Sequence, residues 1–183
     1  MHRIVAIVAA LLPFAAYAAD KFTLVSAEVK PNVKIAEAQV YKGFGCNGGN
    51  VSPSLTWSNP PAGTKSFAVT VYDPDAPTGS GWWHWVVFNL PPDTTSLLTG
   101  AGSTNSGKLP KGAVQSLTDF GAPGYGGPCP PKGDRPHRYV FTVHALKVEK
   151  LDLDEKAMPA LVGFTVTANR LDKATFTSTY SRK

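Results

Sequence analysis

The stretch 73-DPDAPTGSGWWHWVVFNLP-91 combines two carboxylates, a segment rich in glycine and proline, and three tryptophans around one histidine. A run rich in valine and aromatic residues leads into it, and another forms its second half, which is the composition of β-strands. Glycine and proline between two such runs indicate a turn. The stretch therefore predicts two strands joined by a turn, with Asp73 and His84 near the turn.

Runs of this kind recur along the chain and predict a mainly β fold. The other runs are residues 22–29, 52–58, 137–146 and 174–180. Their composition and spacing favour an antiparallel β-sandwich or barrel-like fold, with residues 19–183 as a single domain. Residues 154–171 predict one helix near the C-terminus, because acidic residues precede an apolar stretch that ends in a basic one. Residues 91–116, rich in Gly, Ser and Thr, predict a long loop.

The first residues have the pattern of a secretory leader. Arg3 precedes an apolar run, and Ala16-Tyr17-Ala18 fits a signal-peptidase site. The apolar run is too short to span a bilayer comfortably. We therefore expect residues 1–18 to be a cleaved signal peptide and the protein to be exported, either periplasmic or secreted, without stable membrane insertion. An uncleaved N-terminal anchor is the alternative.

The charge pattern argues against a nucleic-acid partner. The chain carries 18 Lys and Arg residues against 13 Asp and Glu, a net charge of +5, and its basic residues are spread along the sequence. Nucleic-acid binding proteins concentrate basic residues in runs or patches, so no such partner is expected. A mildly basic protein favours anionic ligands or partners. A protein partner and homo-oligomer formation both stay open.

The two cysteines, Cys46 and Cys129, predict a disulfide. An exported chain meets an oxidising compartment, where an even pair of cysteines usually bonds. Both lie in glycine-rich segments, GFGCNGG and YGGPCPP, whose backbones can approach closely. Two separate free thiols are the alternative.

Alternation along three of the strand-like runs predicts a polar group at the end of an apolar stripe. The three expected stripes are Phe67, Val69, Val71 and Asp73; His84, Val86, Phe88 and Leu90; and His137, Tyr139, Phe141 and Val143. Where these ends converge, the polar groups line one concave site, and the alternative is a structural network in which they satisfy one another. His144 falls on the opposite face, which indicates a structural role.

A site built from these groups would suit a small anion. Two imidazoles and a phenol can donate hydrogen bonds, and Asp73 can orient or charge a histidine. Glycines in the segment before His137 can expose backbone N–H groups to an oxyanion. The tryptophans around His84 are expected to form dry walls. Phosphate or a carboxylate is the natural occupant.

The sequence closely resembles the phosphatidylethanolamine-binding protein family, in its bacterial, Raf-kinase-inhibitor-like branch. The resemblance rests on DPDAPTGSGWWHWVVFNLP and GYGGPCPPKGDRPHRYVFTVHAL, and on SPSLTWSNPPAGTKSFAVTVYDPDAP in the N-terminal half. It covers residues 22–180. It implies a single-domain antiparallel β-sandwich with Greek-key connections and a few peripheral helices, and a pocket for phosphate-like anions.

The resemblance also implies which residues bind the ligand. The motif carboxylates are Asp73 and Asp75, the pocket histidine is His84, and Trp83 stands where the family has another histidine. The remaining implied ligand-binding residues are Cys129, Pro131, His137 and Tyr139. The backbone N–H of Cys129 would face the anion, and a disulfide to Cys46 would brace its loop.

These features favour a non-enzymatic binding protein without cofactor or metal, which holds a phosphorylated head group or another small anion and acts on a partner protein. Three alternatives stay open. A hydrolase would use Asp73 and a histidine as a base on water or on Ser80, although GSG is not a nucleophile elbow. Two histidines and a carboxylate can bind iron or zinc. A protease inhibitor or interaction module would act through surface loops, residues 91–116 first.

Overall fold

Ten β-strands, one α-helix and a short 3₁₀ turn form the fold of residues 20–183, the part of the chain that the computed structural model describes. The strands are β1 (Thr23–Val25), β2 (Lys42–Gly43), β3 (Cys46–Asn47), β4 (Leu55–Ser58), β5 (Ser66–Asp73), β6 (Trp82–Leu90), β7 (Ser96–Leu97), β8 (Val114–Gln115), β9 (His137–Leu146) and β10 (Arg170–Tyr180). The 3₁₀ turn is Glu37–Gln39 and the helix, α1, is Pro159–Asn169. The predicted signal peptide, residues 1–18, lies outside the described residues. Within residues 20–183, no helix has the length and apolar character to cross a membrane.

The larger sheet contains five antiparallel strands in the order β10-β9-β5-β6-β8. Strands β5, β6 and β8 pair in succession, whereas β9 returns to pair with β5, which is the Greek-key arrangement. Strands β9 and β10 pair from one end to the other, with Tyr180 opposite His137 and Arg170 opposite Leu146. The predicted mainly β, antiparallel fold is confirmed.

A second sheet, in the order β1-β4-β7, packs against one face of the larger sheet. Because successive side chains of a strand point to opposite faces, the predicted stripe of Phe67, Val69 and Val71 is buried between the two sheets. The core between the sheets also contains Leu24, Leu55, Trp57, Leu97, Phe141 and Phe176. The molecule is therefore the β-sandwich that the sequence predicted.

Four strands of two residues each were missed by the sequence analysis, because two residues cannot show alternation. They are β2, β3, β7 and β8. Strands β7 and β8 lie within residues 91–116, which were predicted to be one long loop. This segment instead provides an edge strand to each of the two larger sheets.

Helix α1 covers the other face of the five-stranded sheet and begins later than the sequence indicated. It starts at Pro159, whose fixed φ and missing N–H suit the first helical position. Its first turn contains no acidic residue, so the acidic residues at 154–155 precede the helix, which corrects the predicted start. Val162 and Val166 are buried in a small apolar cluster with Phe88.

A β-bulge in β6 changes the direction in which His84 points. The pairing of β6 with β5 shifts by one residue here, and His84 is the additional residue without a partner in β5. The predicted stripe of His84 with Val86 and Phe88 is therefore wrong, because alternation restarts after the bulge. Val86 and Phe88 face helix α1, whereas His84 lies on the side of Asp73. The flanking pairs are Tyr72–Trp83 and Val71–Trp85.

A second register shift lies near the end of β6, at Asn89. Asn89 has a φ of 58°, which asparagine tolerates better than most residues. Its side-chain amide donates to the carbonyl of Leu151 at 3.2 Å and accepts the N–H of Leu151 at 2.7 Å. This shift returns Leu90 to the core between the sheets.

The predicted disulfide is confirmed. Cys46 and Cys129 are joined with an S–S distance of 2.09 Å across a sequence separation of 83 residues. Cys46 lies in β3, and Cys129 lies in the loop that leads into β9. The disulfide therefore ties the β2–β3 hairpin to that loop.

Candidate functional site

A cavity of about 170 Å³ lies where the ends of β5, β6 and β9 meet. Asp73 ends β5, His84 lies near the start of β6, and His137 and Tyr139 begin β9, so the three polar strand ends converge. The other lining residues are Phe44, Ala76, Pro77, Thr78, Trp82, Phe120, Cys129, Pro130 and Pro131. Every predicted ligand-binding residue except Asp75 lines this cavity.

Asp73 and His137 form a buried hydrogen-bonded pair. His137 Nδ1 lies 2.7 Å from Asp73 Oδ2, and its Nε2 lies 3.2 Å from Asp134 Oδ2. The second carboxylate oxygen of Asp73 accepts the backbone N–H of Asp75 at 2.8 Å. Both ring nitrogens of His137 therefore face carboxylate oxygens, which accept hydrogen bonds when ionised. Asp73 thus orients His137, and both ring nitrogens of His137 are engaged within the protein.

His84 is a neutral imidazole with one unused nitrogen. Its Nδ1 lies 2.7 Å from the carbonyl oxygen of Gly126, and the Gly126 N–H donates back to the His84 carbonyl at 2.8 Å. A carbonyl accepts only, so the ring proton is on Nδ1. Burial lowers the pKa of His84 to about 4. Its Nε2 therefore offers a lone pair, whereas the sequence predicts that His84 donates to an anion.

Two donors on residues that line the cavity have no partner within residues 20–183. The Tyr139 hydroxyl is buried without a hydrogen bond, and the backbone N–H of Cys129 forms none. Burial, with the nearby Asp73 carboxylate second, raises the pKa of Tyr139, so its phenol stays protonated. A buried hydroxyl without a partner costs about 1–3 kcal/mol, which an acceptor oxygen in the cavity would offset.

Phe120 forms much of the aromatic wall and was missed by the sequence analysis. Its ring centroid lies 5.4 Å from that of Trp82, 5.4 Å from that of His84 and 5.9 Å from that of Phe44. Phe120 lies in an irregular loop without periodicity. Gly126 leaves room for this ring, since a Cβ at position 126 would stand only 2.2 Å from it.

The expectation that all three tryptophans around His84 form walls is wrong. Only Trp82 lines the cavity. Trp83 packs on the opposite face of the sheet, where its indole lies 4.6 Å from the Tyr72 ring, centroid to centroid. Trp85 is buried in the core and donates from Nε1 to Gln115 at 2.6 Å. The alternation and the bulge of β6 separate these neighbours.

Asp75 lies beside the cavity rather than in it, which does not fit the predicted ligand-binding role. Its Oδ2 accepts the backbone N–H and the Nε–H of Arg138 at 2.9 and 2.8 Å, and its Oδ1 accepts from Arg138 and Arg135, each at 3.0 Å. The hydrogen bond from Arg138 is the main reason that the pKa of Asp75 falls to about 2. Both oxygens of Asp75 are thus engaged in holding the turn after Asp73 to strand β9.

The hydrolase and metal-site alternatives would use Asp73 and the histidines of this same cavity. Ser80 does not line the cavity, and its carbonyl accepts the Tyr72 hydroxyl at 2.7 Å. Within residues 20–183, no group of three His, Cys, Asp or Glu side chains is arranged to hold a metal ion. His144 lies on the opposite face of β9, as alternation predicted, with its Nε2 3.1 Å from Thr70 Oγ1.

Comparisons with known proteins agree with this architecture. Residues 25–181 match the phosphatidylethanolamine-binding protein family. The chain is 54% identical over 180 residues to the UPF0098 protein YbcL of Escherichia coli K12, and the match covers 98% of each chain. It is 52% identical over 158 residues to the UPF0098 protein YbhB of the same organism, and that match covers 86% of this chain and 99% of YbhB. The crystal structure of E. coli YbcL, described as a new member of the mammalian PEBP family, superposes with a TM-score of 0.88 at 55% identity, over 90% of this chain and 100% of that one.

Proposed function

This chain belongs to the phosphatidylethanolamine-binding protein family, and on that basis we propose that it is a non-catalytic protein whose cavity holds a small phosphate-like anion or a small carboxylic acid. One observation carries the proposal. Three polar groups of a single cavity have no hydrogen-bond partner within residues 20–183: the Tyr139 hydroxyl, the Cys129 N–H and His84 Nε2.

These three groups define the hydrogen-bonding pattern of the ligand. Tyr139 and Cys129 donate, so the ligand must carry acceptor oxygens. The neutral ring of His84 accepts through Nε2, so the ligand must also carry one donor. An oxyanion with one protonated oxygen, such as the monoanion of a phosphomonoester, or a protonated carboxylic acid, meets both needs. A fully deprotonated oxyanion would place an oxygen against the lone pair of His84.

The size of the cavity limits the ligand to a small group. Sites for drug-sized molecules usually enclose about 300–1,000 Å³. A cavity of about 170 Å³ therefore suits a phosphate or a head group and leaves no room for acyl chains. The walls of Phe120 and Trp82 exclude water around the ligand, which strengthens each hydrogen bond inside.

Binding is favoured over hydrolysis by the side chains that line the cavity. The hydroxyl of Thr78 donates to the Gly81 carbonyl, and the raised pKa of Tyr139 keeps its phenol protonated. Cys129 is bonded to Cys46 and offers no thiolate. His84 Nε2 could act as a base, but the lining side chains supply no nucleophile for it to activate.

Export is part of the same proposal. The leader pattern of residues 1–18 supports it, and so does the Cys46–Cys129 disulfide, because disulfides persist in oxidising compartments. The intact mass of the protein recovered from the periplasm or the medium tests this part. A mature chain that begins at Ala19 is expected, and a chain that still begins at Met1 would overturn it.

Titration followed by amide NMR tests the cavity. Phosphate, phosphoethanolamine and acetate are added separately, at roughly pH 5 where part of each ligand still carries a proton, to the wild type and to a variant carrying both His84→Ala and His137→Ala. We expect saturable shifts near Cys129 and Tyr139 in the wild type that are lost in the variant. Wild-type spectra without saturable shifts would refute the anion site. Where the double variant loses its dispersed spectrum, Tyr139→Phe takes its place.

A further inference from the structure

A second cavity, of about 190 Å³, lies between helix α1 and the outer face of the five-stranded sheet. It is separate from the site described above, because it opens on the opposite face of β5, β6 and β9. Its residues are Thr70, Tyr72, Trp83, Val140, Thr142, His144, Gly163, Val166, Thr167 and Arg170. Apolar and aromatic walls surround a few polar groups, which is the usual composition of a small-molecule site.

His144 is a buried polar side chain of this cavity with an unused nitrogen. The residue is 8% exposed, its Nε2 lies 3.1 Å from Thr70 Oγ1, and its Nδ1 has no hydrogen-bond partner. Burial, with Arg170 and Lys173 second, lowers the pKa of His144 to about 3, so the ring is neutral. When the Thr70 hydroxyl donates to Nε2, the ring proton sits on Nδ1, where it has no acceptor within residues 20–183.

Arg170 provides an unpaired positive charge at the same cavity. The residue is half-buried where helix α1 meets strand β10, and within residues 20–183 its guanidinium forms no salt bridge and donates no hydrogen bond. None of the residues that line this cavity is acidic. A guanidinium and an imidazole N–H that both lack acceptors form a complementary pair for one carboxylate.

We propose that this second cavity binds a small organic carboxylate, held by the Arg170 guanidinium and by Nδ1–H of His144, with its short apolar tail against Trp83 and Val166. The cavity volume equals that of about six water molecules at roughly 30 Å³ each, so the ligand is a short-chain acid. The carboxylate replaces the missing acceptors, and the tail replaces water at an aromatic wall.

Gly163 keeps this space open beneath the helix. A Cβ at position 163 would lie 3.3 Å from the Trp83 ring, a tight contact that would bring a side chain into the cavity. Glycine inside a helix costs about 1 kcal/mol relative to alanine. The helix thus carries an unfavourable residue at the position that borders Trp83.

The test uses sodium propionate as the probe and follows the ring nitrogens of His144 and His84 separately by NMR. Propionamide, which has the same shape without the charge, is the ligand control. Arg170→Gln removes the proposed anchor, and Lys173→Gln removes the same charge from an exposed position on the same strand. Because Arg170 has no ion-pair partner, its substitution leaves no carboxylate unpaired.

We expect propionate to cause a saturable shift at His144 in the wild type and in Lys173→Gln. In Arg170→Gln the affinity for propionate should fall about tenfold or more, which corresponds to roughly 1.4 kcal/mol. Propionamide should cause no comparable shift. The proposal is overturned by a wild-type His144 ring that does not respond, which would mean that water fills the cavity. It is also overturned if the affinity for propionate falls by the same factor in both variants, or if propionamide shifts the His144 ring as much as propionate does. A shift at His84 alone would place the anion in the first cavity and overturn this second site without touching the proposed function.

Discussion

His84 and Gly126 hold each other through two hydrogen bonds, from His84 Nδ1 to the Gly126 carbonyl at 2.7 Å and from the Gly126 N–H to the His84 carbonyl at 2.8 Å. This reciprocal contact fixes the imidazole in one tautomer before any ligand arrives. It makes His84 an acceptor in the cavity, although histidine beside an anion would ordinarily be read as a donor. The first prediction follows from that tautomer.

Binding of a phosphomonoester should weaken as the pH rises above the second pKa of the ligand. That pKa is about 6 for phosphomonoesters, and only the monoanion carries the proton that His84 Nε2 accepts. Below this pH the affinity for phosphoethanolamine should be nearly constant, and above it the affinity should fall by up to about tenfold for each pH unit. Calorimetry between roughly pH 5 and 8 measures this.

Sulfate is the control for that experiment, because it has the shape of phosphate and stays fully deprotonated in this range. It should bind weakly at every pH. Sulfate that binds as tightly as the phosphomonoester would mean that His84 is protonated in the complex and acts as a donor.

Replacing Tyr139 by phenylalanine should separate stability from binding. The Tyr139 hydroxyl has no partner, so Tyr139→Phe should leave the free energy of unfolding unchanged or raise it by up to about 1 kcal/mol. The same change should weaken anion binding by about tenfold, because one of the two open donors is lost. Urea unfolding and calorimetry measure the two effects.

Tyr125→Phe is the matched control for this pair of effects. Tyr125 is also buried, but its hydroxyl donates to the Gln39 carbonyl at 3.0 Å. Its loss should lower stability by roughly 1 kcal/mol and leave anion binding unchanged. The opposite pattern, with Tyr139→Phe the more destabilising of the two, would contradict the assignment of an unsatisfied hydroxyl.

Removal of the disulfide should lower stability strongly. For a separation of 83 residues, the chain-entropy relation gives about 4–5 kcal/mol, and the Cys46→Ala, Cys129→Ala double variant should lose about this much in urea unfolding. Reduced wild-type protein is the control and should behave alike. Anion binding should also weaken, since the loop that carries the Cys129 N–H loses its tie to β3. A loss below about 1 kcal/mol would show that packing alone holds this loop.

Asp75→Asn should destabilise the protein at neutral pH and not in acid. The folded-state pKa of Asp75 is lowered to about 2, so its stabilising effect is complete above the ordinary carboxyl value near 4 and disappears as the pH falls through 2. Arg138 is 58% exposed, so the loss at pH 7 should be only on the order of 1 kcal/mol.

Thermal melts of wild type and Asp75→Asn between roughly pH 2 and 7 measure this effect. Asp152→Asn, at an exposed position whose side chain forms no hydrogen bond within residues 20–183, is the control and should track the wild type at every pH. A gap between Asp75→Asn and wild type that stays the same down to pH 2 would mean that the Asp75 charge is not the cause.

The parts of the site on regular strands could be predicted from the sequence, and the rest could not. Asp73, His137 and Tyr139 lie on strands β5 and β9 whose alternation is unbroken around them, so period-two reasoning brought them together. His84 reaches the same cavity only through a bulge, which depends on pairing with β5 and leaves no mark in the alternation of β6 itself. The sequence therefore placed His84 in the correct cavity, but strand periodicity alone does not explain why it lies there.

Loop residues and helix ends escaped prediction for a different physical reason. Phe120 comes from an irregular loop and Phe44 from the turn of the β2–β3 hairpin, and long-range contacts, including the Cys46–Cys129 disulfide, set their positions. The start of helix α1 was misjudged because the acidic residues before Pro159 suggested an earlier first turn. Proline at the first helical position was the stronger signal.

The bulge at His84 makes this residue an insertion into strand β6, separate from the later register shift at Asn89. Trp82 and Trp85 face inward and Trp83 faces helix α1, so the alternation from Trp82 to Phe88 would run without a break if His84 were absent. Deleting one residue from a strand normally turns every later side chain to the wrong face. Here a deletion of His84 should leave every later side chain of β6 on its present face and remove only the imidazole from the cavity. Shortening the chain by one residue would therefore abolish the site without disturbing the core of the sandwich.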